Sequence, residues 1–304
     1  MVLFFYKTEA FGSRFLSKKF QVALWYVLKY TLNVILPLYY VFKKNAKQIN
    51  SNSIVDKNVI ISLTSFPARM RSLPLVLETL LHQTVKADHI MLWFAGSQYP
   101  DKSIVFEQLK KYVSRGLEIR FCEDLRSHKK YYYAMKENPT ALVVTVDDDI
   151  LYPENMLQRL LETYKQWPDC IVTQRAHKMK FDGTQLLPYD KWNQLAKGCK
   201  GPDLYLCQTG GAGCLYPPGS LDENVFNISL IKQLCPLADD LWLKSMSFIK
   251  KTKVVLTGEN NPEIIDVIGN KENGLARVNV ENNKNDQQLN AMTKYFQINW
   301  KQSL

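Results

Sequence analysis

A chain of 304 residues that is 46% hydrophobic, 12% aromatic and 22% charged is too long and too apolar for a disordered, collagen-like or low-complexity scaffold, and it can bury a core without disulfide staples. Its length suits one large domain or two small ones. The net charge of +10 is lodged at one end, where residues 1–50 hold eight Lys or Arg against one acid, Glu9, so the body is not strongly basic and carries no nucleic-acid footprint.

The first expected element is a helix over residues 20–42 (FQVALWYVLKYTLNVILPLYYVF), long enough to cross a bilayer. Lys29 near its centre would cost about 3 kcal/mol in a span. Basic residues flank both ends (Lys18, Lys19; Lys43, Lys44, Lys47), and Pro37 interrupts the last turns. Lys18, Gln21, Lys29 and Asn33 share about one third of the helical wheel, with Tyr39 and Tyr40 on the same side. Such a stripe suits a helix lying in the membrane interface, its lysines meeting anionic lipid. A true span and a helix buried against the body are the alternatives. Residues 1–50 are therefore expected to be a membrane-association segment, and the polar residues 45–57 a linker to a body at 51–304. No signal-peptide pattern with a cleavage site is visible, which points to a protein on the cytoplasmic, inner face of the cell membrane.

From Asn58 strand and helix alternate. Strands are expected at Val59–Thr64, His89–Phe94, Leu117–Cys122, Ala141–Val146 and Cys170–Thr173. Helices are expected at Leu73–Gln83, Ser103–Ser114 with Ser103 as N-cap, Lys129–Glu137 and Pro153–Trp167. This order implies an α/β fold, a Rossmann-like, mostly parallel sheet covered on both faces, with ligands beyond the carboxyl ends of the strands. Residues 176–235 are irregular and rich in Gly and Pro. A helix follows at Leu237–Lys250, then a polar Asn-rich stretch at 258–286 and a last helix within 287–300. The six cysteines form no C-x-x-C and the four histidines no zinc-site spacing, so free thiols are expected.

Asp147, Asp148 and Asp149 directly follow the fourth strand. Three adjacent carboxylates repel unless a cation or N–H groups neutralise them. Strand alternation sends Asp147 and Asp149 to one side and Asp148 to the other, so the outer two can serve one ligand. Hard oxygen donors select Mg2+ or Mn2+ over zinc. A solvated acidic turn is the plain alternative. A second pair, Asp239-Asp240, precedes an apolar helical run and could be an N-cap instead. The segment Gln208–Pro217 (QTGGAGCLYP) has glycines that let backbone approach a ligand closely.

The loop SLTSFPAR, a variable α/β stretch and then VTVDDDILYP resemble the nucleotide-sugar-dependent glycosyltransferases of the A-type (GT-A) fold, most of all the bacterial family-2-like enzymes of surface polysaccharide synthesis. The resemblance spans roughly residues 58–250. A Gly-rich dinucleotide fingerprint is absent after the first strand, against a dehydrogenase. The resemblance implies a UDP-sugar donor, a glycan or lipid-linked acceptor and a Mn2+ or Mg2+ ion, with residues 58–150 holding the donor and 151–304 the acceptor. Thr64, Ser65, Pro67 and Arg69 would line the nucleotide, with Arg69 or Arg71 near the diphosphate. Asp124 would meet the uracil edge, and Lys129, Lys130 and Tyr131 would follow along the nucleotide. The rings of Tyr131–Tyr133 would stack on the base or else pack in the core. Asp147, with Asp148, would lie on the ribose side, and Asp149 together with Asp147 would hold the metal.

The resemblance also makes one of the Asp239-Asp240 pair a general base, Asp240 by preference, with inversion at the anomeric carbon. The usual family pair begins with Glu, which leaves the register between the two open. Gly210 and Gly211 would border the donor sugar and acceptor. Trp242 would stack on an acceptor ring or pack in the core. Arg175 and His177 point to the same end of the sheet, His177 more simply as a structural side chain. A divalent-metal nucleotidyltransferase or phosphohydrolase, or a non-catalytic membrane adaptor, would account for fewer of these features.

Overall fold

The computed structural model describes residues 1–43, 54–258, 263–269 and 283–301. Most of the expected linker at 45–57 and of the polar stretch at 258–286 lies outside them. In chain order the elements are α1 (Val2–Phe15), α2 (Lys18–Phe42), β1 (Val59–Thr64), α3 (Leu73–Leu81), β2 (His89–Ala95), α4 (Ser103–Val113), β3 (Leu117–Cys122), α5 (Lys129–Glu137), β4 (Leu142–Thr145), α6 (Met156–Gln166) and β5 (Ile171–Thr173). There follow β6 (Ala176–Lys178), β7 (Phe181–Asp182), β8 (Gln185–Leu186), β9 (Leu206–Gln208), β10 (Cys214–Tyr216), α7 (Ile228–Leu234), α8 (Asp239–Ile249), β11 (Val254–Leu256) and α9 (Lys284–Tyr295).

Seven strands form one sheet in the order β11-β5-β10-β4-β1-β2-β3. β1 pairs in parallel with β2 and β4, β2 with β3, and β5 with β11. The β-branched run of β1 is buried on both faces, as a central parallel strand requires. Ile61, Leu63, Leu92 and Val144 point into the core shared with α3, α6 and the N-terminal helices. Ile60, Met91 and Val143 point the other way, with Ala134 of α5. A further core gathers α7, α8 and α9 against β10 and β11.

The mixed α/β fold with a mostly parallel, helix-flanked sheet follows the expectation, with one correction. Part of the irregular Gly-rich stretch is a strand, β10, which enters antiparallel between β4 and β5. At three residues it is too short to show a period in sequence. A smaller correction concerns α4: Ser103 is its first helical residue, not its cap. The carboxylate of Asp101 accepts from the Ser103 N–H at 2.9 Å and from its hydroxyl at 2.6 Å. All six cysteines are free.

The N-terminal segment departs most from expectation. Two helices, not one, form a hairpin that crosses where Gly12 meets the Leu24 side chain, whose tip would have to shift for a Cβ at Gly12. Pro37 does not end α2, which runs on to Phe42 with the proline exposed. The Lys29 and Asn33 part of the polar stripe faces the body, while Lys18 at its start is exposed. Lys29 is buried and donates to both oxygens of Asp266 at 2.5 Å. The Asn33 amide donates to the Asp266 carbonyl at 3.1 Å and accepts from the Ile268 N–H at 3.0 Å. Trp25 donates its indole N–H to the Ile264 carbonyl at 3.1 Å. The first turn of α1 is held as well: its Leu3 N–H donates to Glu154 at 2.7 Å, placing a carboxylate on the positive end of the helix.

Candidate active site

The carboxyl ends of β1 and β4 meet at one acidic centre, closed from the other side by the first turn of α8 and the turn at Gly210–Ala212. The triplet lies past the end of β4 at Thr145, with Asp148 and Asp149 in a turn, so contacts rather than strand alternation set its directions. Asp148 turns inward, where its carboxylate accepts from the Ser65 hydroxyl at 2.5 Å and from Arg69 at 3.3 Å. The same Arg69 guanidinium lies 2.7 Å from Asp149. Asp147 and Asp149 keep 37% and 28% of their side-chain surface exposed, so both remain open to a ligand.

Lys130, on the first turn of α5, joins the two acidic groups. Its ammonium donates to Asp147 at 2.7 Å and stands 2.9 Å from Asp239. Only 4% of its side chain is exposed. Burial alone would lower its pKa, but Asp147, Asp239 and Asp240 together push it well above the ordinary lysine value. Asp239 works against its own burial too: Lys130 and then His128 hold its carboxyl below the usual range. Asp240 feels the Lys130 charge as well, but too weakly to prevail. Burial and the neighbouring Asp239 charge push it up to about 7, and the Lys130 charge together with the Gly210 N–H, which donates to it at 2.8 Å, only partly offset them. Asp148 is likewise raised to about 7 by burial, against Arg69 and Ser65. The acidic pair does not cap α8. The cap residue is Ala238, with no side-chain cap bond, and Asp239 and Asp240 are the first helical residues.

The glycines have defined places. A Cβ on Gly211 would lie 2.2 Å from an Asp147 carboxylate oxygen, and one on Gly210 would lie 3.1 Å from Asp240. The Tyr152 hydroxyl ties the same turn to the triplet, accepting from the Asp147 N–H at 2.7 Å and donating to the Gly211 carbonyl at 2.5 Å. The first loop lies alongside: Thr64 donates to the Trp93 carbonyl at 2.9 Å, and Pro67 opens a short 3-10 turn that carries Arg69. Asp124 sits at the end of β3, where Lys129 donates to it at 2.6 Å and the Arg126 N–H at 2.9 Å.

Several singled-out residues are placed elsewhere. Tyr131 is fully buried, its hydroxyl 3.0 Å from His128 and donating to the Val225 carbonyl at 3.4 Å. Trp242 is also fully buried and donates to the same carbonyl at 3.2 Å. Neither ring has a face open to a base or a sugar, because both fill the core beneath the site. Tyr133 stacks on Trp93 at 5.2 Å. His177 is buried and accepts from the Leu195 N–H at 3.1 Å, its pKa pushed down to about 3 by burial and then Arg175. The joining role of Lys130 and the clamp of Tyr152 were not anticipated. The only sequence signal for either is adjacency, in KKYYY and DDDILYP.

The donor set fits a divalent ion. Asp147 and Asp149 present partly exposed hard oxygens, and the Asp149 charge is incompletely neutralised, since burial and then Asp147 raise its pKa. Among the described residues no group of three or more His, Cys, Asp or Glu side chains has metal-holding spacing. An ion here would therefore draw its remaining ligands from water and from the substrate.

A mostly parallel, helix-covered sheet with an acidic centre at its carboxyl edge defines the class of fold. Comparison with solved structures finds chains of similar fold. The chain resembles the solved structure of the mannosyltransferase PcManGT from Pyrobaculum calidifontis in complex with GDP-Man and Mn2+, with a TM-score of 0.52 and 13% identity over 90% of this chain and 75% of that one. The likeness is one of fold. No family model and no curated protein matches the chain.

Proposed function

We propose that the chain is a glycosyltransferase of the GT-A type that moves a sugar from a nucleotide-sugar donor, a UDP-sugar, to a glycan or lipid-linked acceptor in surface polysaccharide synthesis. The observation that carries this reading is the Lys130 bridge between Asp147 and Asp239. It sets an acid pair suited to a diphosphate-bound cation beside a second pair suited to base catalysis. The solved mannosyltransferase with GDP-Man and Mn2+ supports the same class of chemistry on the same fold.

Residues 58–150 would hold the donor and 151–304 the acceptor. A divalent cation held by Asp147 and Asp149 would supply charge neutralisation on the departing diphosphate. Arg69 and Lys130 add fixed positive charge beside it, in a site where burial strengthens each interaction. Asp240, once ionised, takes the proton from the acceptor hydroxyl as that oxygen attacks the anomeric carbon, with inversion. Its elevated pKa suits the task, because a base titrating near the working pH combines adequate basicity with adequate ionisation. The backbone N–H of Gly210 fixes its orientation. The N-terminal hairpin would keep the enzyme on the cytoplasmic face of the membrane, near a lipid-linked acceptor.

Calorimetric titration of UDP and of GDP, with and without Mn2+, into the full chain and its Asp149→Ala variant tests the reading. Metal-dependent UDP binding that the variant loses is the expected result. Binding of GDP alone would move the donor to the guanine series. Absence of binding by either nucleotide would overturn the proposal. Release of phosphate or nucleotide transfer in place of sugar transfer would assign a different reaction.

A further inference from the structure

The outward side of the N-terminal hairpin is apolar where a folded surface is normally polar. On α2, Phe20, Val27, Val34, Leu38 and Val41 are 60–76% exposed. At ~100° per residue they fall within about 60° of one another on the helical wheel. The buried residues Leu28, Lys29, Leu32, Leu36 and Tyr40 occupy the opposite side. On α1, Phe4, Phe11 and Phe15 are 67–72% exposed. Exposed apolar side chains gathered on one helix face mark an interaction surface. Lys7 and Lys19 are exposed beside it and Lys43 lies at its end, so its cationic groups match an anionic partner.

Length and composition alone would let α2 cross a membrane. The inward contacts oppose that placement. Lys29 is bonded to Asp266, Asn33 to the backbone of Asp266 and Ile268, and Trp25 to that of Ile264. A spanning α2 would have to break all of these and leave Asp266 without its cation.

We propose that the α1–α2 hairpin is a monotopic dock for an anionic lipid bilayer, lying flat with its Phe11, Phe20, Val27, Val34 and Leu38 side in the acyl boundary while Lys29 and Asn33 hold its other side to the body. This rests on the membrane association proposed above and specifies its geometry. The amphipathic sense of the helix is that of an interfacial helix, but the polar face meets protein in place of water. Apolar burial supplies the depth of docking and the lysines supply the preference for anionic headgroups. The segment clasped by the hairpin runs beside the triplet, the Val267 N–H donating to the Asp149 carbonyl at 2.7 Å. The docked surface therefore lies close to the acidic centre.

Flotation of the full chain with phosphatidylcholine vesicles, with and without phosphatidylglycerol, is the test, combined with thermal unfolding in the absence of lipid. The wild type is expected to float with the anionic vesicles. The triple variant Val27→Asp/Val34→Asp/Leu38→Asp is expected to stay in the soluble fraction while keeping the wild-type unfolding midpoint. Lys29→Met is expected to float but to unfold at a lower temperature, because it strands Asp266. An unchanged midpoint in Lys29→Met would overturn the flat, body-held geometry. Flotation of the triple variant equal to wild type would overturn the assigned face and leave membrane association standing. No flotation of the wild type would remove both readings. If wild type instead forms a dimer that the triple variant loses, the face belongs to a second copy of the chain.

Discussion

The ammonium of Lys130 stands 2.9 Å from the Asp239 carboxylate while also donating to Asp147 at 2.7 Å, so one buried cation serves the end of β4 and the start of α8 together. Two acidic pairs far apart in sequence are thereby held as one unit. Removing that cation leaves buried negative charge uncompensated, which costs far more than the intact pair contributes.

Lys130→Met should therefore lower stability by about 3–5 kcal/mol. Urea unfolding measures this through the transition midpoint. Adding Asp239→Asn in the same chain should recover part of the loss, since it removes one of the stranded charges. Equal stability of Lys130→Met and wild type would refute the bridging role.

Asp240→Asn should retain donor binding and lose transfer by about 100-fold or more, the usual contribution of a general base. Isothermal titration and product formation on the same preparation separate the two effects. Full activity in this variant would place the base elsewhere.

The pH dependence follows from the same residue. Asp240 must be ionised to accept a proton, and its folded pKa is raised to about 7. Transfer should fall as pH drops below about 7 and level off above it. Stability runs the opposite way for this group. Its folded pKa lies above the unfolded value of ~3.9, so the folded state binds the extra proton between them and loses that contribution as pH rises through about 7. The stability difference between wild type and Asp240→Asn should shift against wild type over that interval. A pH-independent difference would remove the elevated pKa from the account.

Gly211→Ala should weaken metal-dependent nucleotide binding while leaving metal-free behaviour near wild type. The new Cβ would fall 2.2 Å from the Asp147 carboxylate, so that side chain must swing away. Titration with and without Mn2+ reads the difference, and equal affinity in the two proteins would show that Asp147 has room to adjust.

Much of the fold was legible because its signals are local. β1, β3 and α5 have the bounds expected from the runs VIISLT and LEIRFC and from KKYYYAMKE, since β-branched burial and helical periodicity act within a few residues. The short strand β10 was not legible. Its three residues have no period, and its place between β4 and β5 depends on which neighbours remain unpaired.

What the sequence determined by itself was the order of elements, the position of the acids at a strand end and an N-terminal segment both basic and apolar. Only the tertiary structure decided which charges meet. Lys130 could have served a nucleotide directly, but the sheet order brings Asp147 and Asp239 to its ammonium. Tyr131 and Trp242 could have been stacking platforms, but the packing of α5 and α8 buries both rings. The stripe of Lys29 and Asn33 could have faced water, but Asp266 draws it to the body and turns the apolar side outward. Local propensity reaches a few residues along the chain, whereas ion pairing and burial depend on what the whole fold brings within a few ångströms.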